Sequence, residues 1–200
     1  MTGWTIRLLG VLALVSPILL GGPATLASGE WKAVTAADTD VRLEHGLVAS
    51  AAVTFARMQT QDYSANRHLA VYATDDYHPH RAVILYDALL PGYKYEVTTE
   101  PEAMIRRMKR IETVSPKFGE RSDLVSRNRR FTIRRFSFAQ VGCFAFVRYW
   151  GMAQIELTGE GDRRVQGYVC GRPGAGLTND LILELLDGLV LDLTALTPAA

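Results

Sequence analysis

Asp75, Asp76, His78 and His80 place two carboxylates and two imidazoles within six residues of one another. These side chains together suit zinc or a related divalent ion. The catalytic reading of the chain is therefore a small metal-dependent hydrolase, or another hydrolase using the loop 75–80. A plainer reading competes with it. Aspartates initiate turns and Pro79 pre-sets one, so the same residues make a solvated hairpin loop. A His-x-His spacing across a proline is a weak signature. The turn is the favoured reading, and the four residues stand only as metal candidates.

Other catalytic signatures are absent from the sequence. There is no G-x-S-x-G elbow for a nucleophilic serine. His45 and His68 are the other histidines, and each suits a surface or satisfied core position. Gly171-Arg172-Pro173-Gly174-Ala175-Gly176 superficially resembles a phosphate loop, but it lacks the lysine and the full glycine spacing, and Asp180 would repel a phosphate. No catalytic residue is assigned and no cofactor is called for.

Charge gives a different candidate. The 200-residue chain has a formal net charge of only +1, yet its charges are unevenly placed. Arg106, Arg107, Lys109, Arg110, Lys117, Arg121, Arg127, Arg129, Arg130, Arg134 and Arg135 are opposed only by Glu112, Glu120 and Asp123. From Gly176 onward there are four acids and no base. Such asymmetry marks either an anionic partner or two faces of one fold that neutralise each other. On the first reading, Arg106, Arg107, Lys109, Arg110, Arg129 and Arg130 are the anion-binding residues.

The N-terminus decides which anion. Arg7 supplies a positive n-region, Leu8 to Leu20 is apolar, and Gly21-Gly22-Pro23 breaks the run before small residues ending at Ala27. This is the pattern of a signal peptide over residues 1–27, with an uncleaved signal-anchor as the alternative. Residues 28–200 then form a single domain in the periplasm or outside the cell, with no transmembrane segment after signal removal. That compartment makes nucleic acid the wrong partner and points to an anionic envelope component or an acidic protein. An oxidising compartment also pairs Cys143 with Cys170, since neither lies in a C-x-x-C spacing or near a histidine.

The elements that must position these groups follow from periodicity. Leu69 to Thr74 and Ala82 to Tyr86 read as strands joined by the loop 75–80, and Tyr93 to Thr98 alternates as a third. Gly46 to Met58 leans to helix on its alanines, although Ala51, Val53 and Phe55 also alternate. Thr99 and Glu102 have capping-box spacing before a helix carrying Met104, Ile105, Met108 and Ile111 on one face. Lys117 to Arg130 reads as a polar loop. Phe131 and Ile133 alternate in one phase and Phe136 and Phe138 in the other, which suggests a bulge near Arg134 and Arg135. Cys143 to Trp150 and Arg164 to Cys170 read as strands, with a turn at Gly159–Asp162 bringing the cysteines together. Thr178 or Asn179 caps a last helix that is apolar through Leu181, Ile182, Leu185, Leu186 and Leu189.

From Cys143-Phe144-Ala145-Phe146-Val147-Arg148-Tyr149-Trp150-Gly151 through Gly167-Tyr168-Val169-Cys170 and the leucine helix, the C-terminal third resembles a class of small uncharacterised exported bacterial proteins. The resemblance implies a disulfide-stapled α+β unit and brings no catalytic residue with it. The expected fold is α+β, an antiparallel sheet covered by two or three helices and stapled by one disulfide. The expected function is a non-catalytic envelope-associated binding protein with a basic face.

Overall fold

The computed structural model describes residues 29–59, 65–74, 80–89, 95–96, 100–107, 115–151 and 160–191. Ser126 and Arg129 face each other across Arg127 and Asn128, whose φ values of 47° and 63° are the left-handed backbone of a two-residue hairpin turn. This turn joins two ten-residue strands, Lys117–Ser126 (β7) and Arg129–Phe138 (β8). A second short turn with Ala139 at φ 48° leads into Val141–Trp150 (β9).

These strands belong to an eight-stranded sheet with Lys32–Val34 (β1), Ala52–Gln59 (β3), Ala65–Ala73 (β4), Ala82–Leu89 (β5) and Arg163–Cys170 (β11). The strand order is β1-β3-β4-β5-β11-β9-β8-β7, antiparallel at every rung. Two small ribbons complete the β-structure. Val41–Leu43 (β2) pairs with Leu189–Leu191 (β12), and Tyr95–Glu96 (β6) pairs with Glu160–Gly161 (β10).

Both faces of the sheet are covered. On the first face Ile84, Phe131, Ile133, Phe144 and Phe146 pack with Val41 and Leu43 of β2 and with Ile182, Leu185 and Leu186 of the helix Asn179–Asp187 (α2). On the second, Leu69, Val71, Leu85, Phe136, Phe138 and Tyr168 pack with Met104 and Ile105 of the helix Pro101–Arg107 (α1). This two-sided cover explains why β5 is buried along its whole length and reads as a nearly continuous apolar run. It also explains the phase reversal in β8. Phe131 and Ile133 enter one core and Phe136 and Phe138 the other, on a strand whose pairing with β9 runs unbroken from Thr132 to Phe138. β8 itself is not bulged; the irregularity beside Arg134 and Arg135 is an extra residue in β7, between Phe118 and Arg121, and it does not cause the phase reversal.

The expectation of an α+β unit with two or three helices over its sheet is corrected. The fold is predominantly β. Among the described residues only α2 is a helix of more than two turns, α1 has seven residues, and the β2–β12 ribbon supplies part of the cover of the first face. Ala52–Gln59 is a strand rather than a helix, because pairing with β4 along its whole length overrides the helix propensity of its alanines. Lys117–Ser126 is an edge strand rather than a loop. It needs a ladder partner on one side only, and its exposed charges are those that keep an open edge from pairing with another chain.

Two expectations of detail hold. α2 begins at Thr178, whose hydroxyl accepts the Leu181 N–H at 3.2 Å, and it ends at Gly188. Gly188 is required there by close approach rather than by a left-handed φ, since a Cβ would sit 2.4 Å from the Glu44 carbonyl oxygen. Cys143 and Cys170 form a disulfide across one rung of β9 and β11, with Cα atoms 4.0 Å apart. No described helix is long and apolar enough to cross a membrane. Residues 1–27, read as the signal peptide, lie outside the described residues.

Candidate functional site

The sheet differs between its two ends. The end away from the disulfide, where β5 and β9 finish and β8 and β11 begin, gathers arginines and aromatic rings. There, Arg148 of β9 lies on the first face with its guanidinium 4.8 Å from the Trp150 ring centre and 5.8 Å from that of Phe131. Trp150 stacks on Tyr86 at 5.9 Å, and Tyr86 accepts a hydrogen bond from buried Arg163 at 2.9 Å. Burial raises the Tyr86 pKa above its ordinary value, with Arg163 acting in the opposite sense. Arg129, at the start of β8, lies on the same side as Phe131, two residues before it. Burial and the nearby Arg129 lower the Arg148 pKa. No acid is paired with Arg129, Arg130 or Arg148 among the described residues.

Four other arginines of the basic segment, all in β7, β8 and the turn between them, are engaged within the fold. Arg121 pairs with Glu100, Arg134 with Glu102 at 3.7 Å, and Arg127 with Asp187 at 3.7 Å. Arg135 donates to the Leu177 carbonyl and to Asn179 Oδ1, so it holds the start of α2 against β8. Sequence asymmetry is thus partly cancelled by contacts between the basic strands and acids elsewhere.

The six anion-binding candidates do not form one patch. Arg129 and Arg130 are adjacent at the sheet end. Arg106 is exposed on α1 with its guanidinium 4.7 Å from the Phe118 ring centre, and Phe118 pairs with Phe136. Phe136 is seven residues from Arg129 along β8, or about 23 Å at the rise of an extended strand. Lys109, Arg110 and the side chain of Arg107 lie outside the described residues. So do Asp75, Asp76 and His78; His80 is half-buried just before β5. The described residues hold no group of three or more potential metal ligands.

His68 is a satisfied core residue. It is 4 % exposed, its Nδ1 accepts the Asp40 N–H at 3.1 Å, and its Nε2 lies 3.3 Å from Asp40 Oδ2. Burial, then the Arg57 charge, lower its pKa to about 4, against the raising influence of Asp87. A neutral ring with both nitrogens engaged has no free lone pair for a substrate proton. His45 likewise serves the backbone, accepting the Leu47 N–H at 3.0 Å. It borders an open groove of about 440 Å³ floored by Val48, Val53, Phe55 and Tyr72.

Sequence reasoning missed the second face at the same end. One continuous rung there carries Arg67 (β4), Asp87 (β5), Arg164 (β11) and Tyr149 (β9). Asp87 is wholly buried, 3.4 Å from Arg67 Nε and bonded to Arg164 Nε at 3.0 Å. Tyr95 of β6 lies over Arg164 at 4.5 Å and meets Tyr149 at 6.1 Å. Burial raises the Tyr95 pKa, so it stays a neutral donor, and Asp87 raises that of Arg164 against the opposing effect of burial. The available signal was an aspartate inside the apolar run Ala82–Leu89.

No protein-family model, curated protein or solved structure matches this chain.

Proposed function

We propose that this protein is a non-catalytic binder of an anionic cell-envelope component, engaged through the sheet end that carries Arg129, Arg130 and Arg148. One observation carries the reading. Of six arginines between Lys117 and Arg135, four are held by partners inside the fold, and Arg129 and Arg130 have none among the described residues. Unpaired arginines that share one edge with a half-buried Trp150 suit an anionic surface, which offers phosphate or carboxylate oxygens above an apolar layer. The leader-like residues 1–27 support export, and with it a periplasmic or secreted site of action.

Co-sedimentation of the exported protein, without residues 1–27, with phosphatidylglycerol–phosphatidylcholine vesicles tests this. Binding is expected to fall steeply as NaCl rises from about 0.05 to 0.5 M, because screening acts on exposed charges. Salt-independent binding, or none to anionic vesicles, contradicts it.

A further inference from the structure

The second face of the sheet poses a charge problem. Arg67 and Arg164 are mostly buried, with side chains 14 % and 11 % exposed, and Asp87 is the one described acid between them. Arginine cannot shed its proton to escape burial. A buried charge without a partner is costly, so an enclosed pair of guanidiniums with a single carboxylate leaves an unmet need for one negative charge. A second, independent observation lies beside it. The buried hydroxyls of Tyr95 and Tyr149 have no hydrogen-bond partner among the described residues, and the Nε of Arg67 meets only Asp87 Oδ1, at the ion-pair distance of 3.4 Å. Gln166, two residues along β11 on the same face, is 7 % exposed and its amide oxygen is also unpartnered. Native interiors rarely leave several such groups unmet in one place.

We propose that the place where Tyr95 of β6 meets the Arg67–Asp87–Arg164–Tyr149 rung is a binding site for a carboxylate group, taken either as a free small acid or as the head of a larger ligand. Two neutral hydroxyl donors and a guanidinium edge match the oxygens of a planar carboxylate. The bound charge balances the second arginine. Gln166 turns its amide nitrogen toward the ligand. This site is on the opposite face from Arg129 and Arg148, and it stands or falls independently of the envelope-surface reading.

Acetate is the probe, with acetamide as its neutral counterpart and NaCl at equal ionic strength as the control. Thermal unfolding of the full oxidised chain is expected to shift up with acetate alone, saturably, by roughly 5 °C or more at about a hundred times its Kd. Tyr95→Phe and Tyr149→Phe each remove only an unpartnered hydroxyl. Without acetate both variants should unfold at or above the wild-type temperature, and together they should abolish the acetate response. An acetate effect no larger than that of NaCl or acetamide overturns the proposal, as does a full response in the double variant. A lower unfolding temperature of either variant without acetate also overturns it, because the hydroxyl would then already be bonded in the resting protein. If acetate binds, octanoate against acetate separates the two sources: tighter octanoate binding points to the head of a longer acid, and equal or weaker binding to a small free acid.

Discussion

Asp40 is tied to His68 twice, by its backbone N–H on Nδ1 at 3.1 Å and by its carboxylate 3.3 Å from Nε2. The pair joins the segment leading into β2 to strand β4, and so fastens the β2–β12 ribbon to the sheet. The folded state holds the His68 pKa at about 4, through burial and Arg57, below the ordinary value of 6.5. The unfolded chain therefore takes up the proton first. Stability from the neutral ring is complete above pH 6.5 and is lost as pH falls toward 4, by at most about 3 kcal/mol. Urea midpoints between pH 7.5 and 5 should fall for the wild type and change much less for His68→Gln. Equal slopes would show that His68 is not the titrating group.

Cys143 and Cys170 close a loop of about 28 residues, for which chain entropy gives roughly 3 to 4 kcal/mol. Reduction, or the double change to Ala, should lower the unfolding temperature by about 10 °C. The sheet should still form, because the same rung is held on both sides by backbone pairing. Thermal unfolding with and without reductant gives the number.

Gly167 sits where β11 passes between β5 and β9, and a Cβ there would lie 2.4 Å from the Val83 carbonyl oxygen and 3.0 Å from Phe146 Cζ. Gly167→Ala should cost about 2 to 3 kcal/mol by overpacking. Adding Phe146→Leu should restore little, since the Val83 backbone cannot withdraw from its ladder. Chemical unfolding of the single and double variants checks this.

Asp87→Asn keeps the shape of the side chain and removes the one described acid between Arg67 and Arg164. Breaking a buried pair in this way costs about 3 to 5 kcal/mol. Urea unfolding should show the loss, and Arg67→Met should be milder because it removes a surplus charge rather than the balancing one. A reversed order would mean that the cluster is not positively charged overall.

What was legible in the sequence was local. Helix α2 announced itself because its cap at Thr178 and the spacing of Ile182, Leu185 and Leu186 are decided within one segment. The central strands stood out as apolar runs. β7 did not, because an edge strand with solvated side chains carries no apolar period, and its strand state is set by pairing with β8. The opposite phases of Ile133 and Phe136 read as a bulge only on the assumption of one buried face; two covered faces make them ordinary alternation. The disulfide was legible through the expectation of export drawn from residues 1–27, whereas the polar rung was not. Asp87 finds Arg164 at a separation of 77 residues, and only the strand order β4-β5-β11-β9 brings the row together. For the basic segment, spacing could not tell the arginines that are used internally, such as Arg121 and Arg135, from those left facing outward.

That distinction sets the decisive measurement. Vesicle binding at low salt should be compared for the wild type, Arg129→Ala/Arg130→Ala, and Arg121→Ala, whose side chain is paired with Glu100. The double variant is expected to lose binding by tenfold or more, on the order of 1 kcal/mol for each arginine at an anionic surface, while Arg121→Ala stays close to wild type. Equal binding by all three would contradict the assignment of this sheet end as the contact surface.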